Sequence, residues 1–119
     1  MPRTRIAVLV LVLAVLGALA VALPASARTT TVAVTAAKPS EFHFTLSKST
    51  VLKGTVVFKV TNKGTIPHDF KIAGRKTALI QPGKTATLKV VFKKAGRYPY
   101  MCTVSGHAAA GMKGVLRVK

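Results

Sequence analysis

After residue 31, apolar and polar residues alternate with a period of two, and no later stretch adopts the 3.6-residue spacing of an amphipathic helix. That pattern belongs to strands with one buried and one solvated face, because successive side chains point to opposite sides of a sheet. Val32 and Val34 share one face of a first strand. Phe42, Phe44 and Leu46 share one face of a second, with Glu41, His43 and Thr45 on the other. Lys53-Gly54 turns the chain into a strand over 55–61, where Val56, Phe58 and Val60 point together, and Lys63-Gly64 closes it. Phe70 and Ile72 mark a short strand ending at Gly74. In Gln81-Pro82-Gly83-Lys84 the proline presets φ and the glycine accepts a positive φ, which predicts a type II turn. Beyond it, Ala86, Leu88, Val90 and Phe92 form the inner side of a long strand; Ala95-Gly96 reverses it into 97–102, and a last strand over 114–118 puts Leu116 and Val118 inward. Seven to eight short strands with glycine turns between them predict an all-β, antiparallel β-sandwich.

The first 27 residues follow another rule. Arg3 and Arg5 form a basic start, Ile6 to Leu23 is an uncharged apolar run, and Ala25-Ser26-Ala27 has the small-residue pattern of a signal-peptidase site. Residues 1–27 are therefore expected to be a signal peptide and 28–119 one mature domain. An apolar run of this length could instead span a bilayer as an uncleaved anchor, but Pro24 and the small residues at the site favour cleavage. Either way the domain is expected to be exported, to the periplasm, the cell envelope or the medium. It is large enough to build a core without staples. Its single cysteine, Cys102, allows no internal disulfide, and a lone thiol in an oxidising compartment is buried, joined to another chain or bound to something.

Residues 98–112 hold the only cysteine, one of three histidines and two of three methionines. Cys102, His107 and Met112 follow one another at intervals of five on a loop of small residues. A thiolate, an imidazole and a thioether so spaced can converge on one soft metal ion, and the trio suits copper. Tyr98, Tyr100 and Cys102 share one side of a strand by the period of two, which leads the chain inward to the sulfur. A buried, inert thiol is the ordinary alternative, yet His107 and Met112 have no packing reason to stand among Gly106, Ala108, Ala109, Ala110 and Gly111. The set lacks a second imidazole, and His68, stiffened by Pro67 at a junction between two strands, can reach the same end of the sandwich. Asp69 either accepts hydrogen bonds near Thr103 that tie the two loops together, or is a turn residue paired with a nearby lysine. His43 and Met101 point away from the set and are assigned no metal.

With these residues in place the chain resembles the cupredoxins, type 1 blue copper proteins of the plastocyanin and azurin group. The resemblance spans Val32 to Val118. It rests on Pro67-His68-Asp69, followed after a long strand and a hairpin by Tyr98-Pro99-Tyr100-Met101-Cys102, four residues, His107, four residues and Met112. It implies a Greek-key sandwich with one copper ion cycling between Cu(II) and Cu(I), His68, Cys102 and His107 as the trigonal ligands, Met112 as a weak axial one, and one-electron transfer as the function. The family commonly carries Asn after the first histidine, where this chain has Asp69. Its Cys-to-His spacing is longer than in plastocyanin-like loops, and its His-to-Met spacing differs from azurin-like ones. The imidazole edge of His107 is the expected port for electrons, framed by Ile66, Pro67 and Ala108 to Ala110. Catalysis is not expected, since four ligands leave no open coordination position.

Charge bears on partners. Residues 28–119 carry 17 Lys and Arg against only Glu41 and Asp69, a net charge of +15. Nucleic acid is the reflex partner for such a surface, but the export signal argues against it, and the lysines are spread along the chain rather than gathered in a run. An acidic redox protein or an anionic envelope surface is expected instead, approached by electrostatic steering, with the domain itself a monomer. Two rivals use the same sequence differently. A copper store or chaperone would employ the same four ligands, and a metal-free basic sandwich would bind polyanions in a salt-sensitive way.

Overall fold

A computed structural model describes residues 27–119; residues 1–26 of the expected 1–27 leader lie outside them. Among the described residues nine strands form two facing sheets. The first sheet has the order β2-β1-β4-β7, from β1 (Thr29–Ala36), β2 (Phe44–Leu46), β4 (Gly54–Asn62) and β7 (Thr85–Phe92). The second has the order β3-β9-β8-β5-β6, from β3 (Thr50–Val51), β5 (Lys71–Ile72), β6 (Arg75–Lys76), β8 (Gly96–Met101) and β9 (Lys113–Val118). The all-β sandwich is as expected from the alternation. Most pairs are antiparallel, but β1 pairs with β4, and β3 with β9, in parallel. In both cases the chain leaves one strand, crosses to other strands, and returns alongside in the same direction, which period-two patterning does not report.

Alternation decided the core. Val32, Val34, Val56, Phe58, Val60, Val90, Phe92, Leu116 and Val118 are all buried, as are Phe70 and Ile72. Tyr98 and Tyr100 pack against this cluster from β8. Their rings meet Phe92 and Phe70 at centroid distances of 4.8 and 5.5 Å. The Pro82-Gly83 turn forms as predicted: Gly83 has φ +79° and Lys84 N–H donates to Gln81 O at 3.0 Å. The second expected strand is shorter than its pattern, because Glu41 and Phe42 lie in a turn and pairing with β1 begins only at Phe44. That difference places two side chains at the end of the sandwich where His68 and Cys102 sit.

Candidate metal centre

The loop after β4 is shaped by Asn62, fully buried at the strand's end. Its side-chain N–H groups donate to Ile66 O at 2.9 Å and Ile80 O at 2.8 Å, and its Oδ1 accepts from Gly64 N–H at 2.8 Å. An amide has two donors and an accepting oxygen, and here both kinds of atom are used on backbone groups. His68 then pairs with Ile80 through both backbone groups, at 3.1 and 2.7 Å. These bonds fix the backbone from which the buried imidazole projects.

The segment 102–112 is closed at its base by its own backbone. Cys102 N–H donates to Met112 O at 3.0 Å, and Met112 N–H to His107 O at 3.1 Å. Asp69 joins this segment to the His68 loop. Its backbone N–H donates to Cys102 Sγ at 3.5 Å, and its carboxylate accepts from Thr103 N–H at 2.6 Å and from the Thr103 hydroxyl. The tie expected between Asp69 and Thr103 is thus present.

Three heteroatoms converge as a result. His68 Nδ1 lies 3.1 Å from His107 Nδ1, and Cys102 Sγ lies 3.8 Å from the first and 3.5 Å from the second. A triangle with those sides has a centre about 2 Å from every corner, the range in which imidazole nitrogen and thiolate sulfur bind first-row metal ions. The chemistry of the donors agrees, since two imidazoles and a thiolate with a thioether nearby form a soft set that suits copper. Met112 is fully buried and its backbone is bonded to both Cys102 and His107. Of the four expected residues, His68, Cys102 and His107 therefore meet at one point and Met112 packs into the same end of the core.

Glu41 is the residue that sequence reasoning missed. Its Oε1 lies 2.9 Å from His68 Nε2, and its carboxylate also accepts from Thr65 N–H at 3.1 Å and Ile66 N–H at 3.2 Å. Partial burial pushes this carboxyl upward, but the bonds from His68, Thr65 and Ile66 outweigh it and hold the pKa below the ordinary value. An ionised carboxylate only accepts, so the hydrogen in this contact sits on His68 Nε2, which leaves Nδ1 as the ring atom facing the triangle. One signal in the sequence pointed this way: Glu41 and Asp69 are the only acids among 119 residues with 19 Lys and Arg. Gly64 permits the approach, because a Cβ there would collide with Glu41 Oε1 and come within 2.7 Å of Ala37 Cβ.

The electrostatics favour the metal-ready form of the second imidazole. Burial, then the neighbouring His68, pushes His107 below its usual pKa, so the neutral ring prevails at neutral pH. Burial raises the Cys102 thiol against the hydrogen bonds it receives from the backbone of Asp69 and Val104. A metal would have to displace that proton. Phe42 packs edge-on against His107 at a centroid distance of 5.0 Å. His68, Cys102 and Met112 have no exposed surface, whereas His107 keeps 8 %. His43 is exposed and bonded to Ser40 Oγ at 2.6 Å, and Met101 faces outward, so neither belongs to the set.

Comparison with known proteins agrees with this geometry. The profile of the family described as Cupredoxin-like domain matches residues 6–118. Among solved structures, auracyanin A, a "blue" copper protein from Chloroflexus aurantiacus, superposes with a TM-score of 0.62 at 19 % identity, over 77 % of this chain and 100 % of that one. Rusticyanin from Thiobacillus ferrooxidans superposes with a TM-score of 0.64 at 24 % identity, over 76 % of this chain and 77 % of that one. At those identities the likeness concerns the fold. A sequence relative, the copper-resistant cuproprotein CopI of Pseudomonas aeruginosa, is 44 % identical over 43 residues, which is 36 % of this chain and 24 % of that protein.

Proposed function

The chain belongs to the cupredoxin-like domain family, and on that premise we propose that it carries single electrons through one copper ion held by His68, Cys102, His107 and Met112. The observation that carries this reading is the triangle of two Nδ1 atoms and one Sγ, buried and matched in size to a single ion. Bound there, copper would supply a one-electron Cu(II)/Cu(I) couple with no bond made or broken in a substrate. His68, Cys102 and His107 would provide the strong donors, and Met112 a weaker fourth one. Asn62, Asp69 and Glu41 tether the donor loops to backbone groups, so their positions do not depend on the ion's charge. Little rearrangement then accompanies a change of oxidation state, which suits a carrier. Four donors leave no position for a substrate, so the protein is not an enzyme in this reading. His107 is the one donor residue with surface, and its edge, beside Ile66, Pro67 and Ala108 to Ala110, is where a redox partner approaches. The leader pattern supports export to the periplasm, envelope or medium, and the basic charge supports a monomer that meets acidic partners.

The CopI relative favours a second reading, in which the same donors store or hand on copper. One experiment separates the two. Copper(II) added to the domain should give intense visible absorption that Cys102→Ser abolishes, together with a reversible one-electron wave. A coloured protein that gives up its ion to an acceptor and shows no reversible wave would move the assignment to copper handling. A colourless one would end both readings.

A further inference from the structure

The register of the second sheet puts five of its six strand cations on one side, Arg75 opposite the buried Ile72 being the exception. Across β8 and β9, Arg97 stands opposite Arg117, Pro99 opposite Val115, and Met101 opposite Lys113. Lys71 on β5 stands opposite both Met101 and Lys76. All eight residues are exposed, and they form the outward face of the sheet, with Tyr98, Tyr100 and Leu116 on the inward face. Pro99 and Met101 make a ridge between two shallow depressions, one lined by Lys71, Ala73 and Gly74, the other by Lys113, Gly114 and Val115. Towards the far end, Arg97 and Arg117 share a further hollow with Lys119.

Two like-charge pairs stand directly opposite each other on this face, Arg97 with Arg117 and Lys71 with Lys76. Such pairs destabilise a sheet unless something neutralises them. Among the described residues no acidic side chain does so: the only two are Glu41, engaged by His68, Thr65 and Ile66, and Asp69, engaged by Thr103. The outward face of the other sheet differs, for it is rich in threonine and the only cations in its strands are Lys59 and Lys89. Within the strands, the cations therefore favour the outward face of one sheet; the other basic residues lie in the connections and at the ends of the chain.

We infer that the outward face of the β3-β9-β8-β5-β6 sheet is a docking surface for an acidic protein, whose carboxylates would ring an apolar centre seated on Pro99, Met101 and Val115. An apolar middle with a charged rim is the anatomy of a protein interface. A membrane surface fits less well: an interfacial anchor presents Trp, Phe or Leu on an amphipathic helix, whereas these three residues are held in a sheet and none is aromatic. Nucleic acid fits less well too, because single strands need exposed rings for stacking and the tyrosines of β8 face inward. The upper row of the face adjoins the metal end, since Met101 precedes Cys102 and Lys113 follows Met112. A partner docked here would thus lie beside the strand that carries the sulfur.

This inference goes beyond the electron-carrier reading, and docking needs no metal, so the metal-free domain tests it and its failure leaves the copper reading intact. The probe is poly-L-glutamate, titrated into isotope-labelled domain at low salt while backbone resonances are followed. Shifts should gather on β5, β6, β8 and β9. Arg97→Gln/Arg117→Gln should weaken binding about fivefold, whereas Lys59→Gln/Lys89→Gln, with the same loss of net charge, should weaken it less than about twofold. The spectra of both variants report that they are folded. Equal weakening, or shifts spread over both sheets, would reduce the effect to net charge and overturn the inference. Tighter binding to anionic phospholipid vesicles or to a DNA duplex at the same ionic strength would overturn the choice of a protein partner.

Discussion

At the residue scale, Glu41 couples two tasks: it closes the loop through Thr65 and Ile66, and it sets which nitrogen of His68 faces the donor triangle. Glu41→Gln keeps the shape and the accepting oxygen but removes the charge that strengthens the imidazole as a donor. Copper(II) affinity should therefore fall about ten- to hundredfold, by the usual effect of losing such a supporting carboxylate, while the thermal midpoint of the metal-free domain changes little. Competition against a chelator measures the first and a melting curve the second; an unchanged affinity would leave Glu41 as a loop tether alone. The reason Glu41 was not legible is specific. It opens an alternating run, residues 41–46, whose period assigns it to solvent, and period two does not say where pairing begins. Cys102, His107 and His68 were legible because few roles suit a thiol and imidazoles in glycine- and alanine-rich or proline-stiffened loops.

At the scale of elements, the end of β4 is a joint rather than a simple strand end. Asn62→Ala would strip partners from Ile66 O and Gly64 N–H and remove one of the bonds to Ile80 O, all on the segment that leads to His68. A loss of about 2–4 kcal/mol in unfolding free energy is expected, the range for breaking a buried hydrogen-bond network. Thr61→Ala, which removes only the exposed hydroxyl contact to Thr85, should cost far less. Urea denaturation of the two variants checks the difference. Which face of β4, β7 and β9 is buried could be read from the sequence, since alternation is a local property. The parallel partnership of β1 with β4 could not, because it depends on where a strand lies after a crossover. Asn62 looked like any polar residue at a strand end for the same reason: its acceptors, Ile66 and Ile80, meet only once β4 and the later loops are assembled.

At the scale of the whole molecule, net charge makes two encounters respond to salt in opposite ways. With +15 on residues 28–119, two copies repel, so electron exchange between oxidised and reduced copies should speed up as salt rises and the screening length shrinks from about 30 Å to about 8 Å. Line broadening in mixtures of the two forms measures it; a rate unchanged by salt would mean that copies meet through an uncharged face, and the prediction would fail. An acidic partner should show the reverse trend. The turn at residues 41–42 belongs to the connection leading into β2, on the first sheet, yet one of its side chains touches His68 and the next touches His107. Neighbouring positions thus serve both imidazoles, so inserting or deleting a single residue between β1 and β2 would misplace both supports together. Outside residues 41 and 42, that connection should tolerate a change of letter better than a change of length.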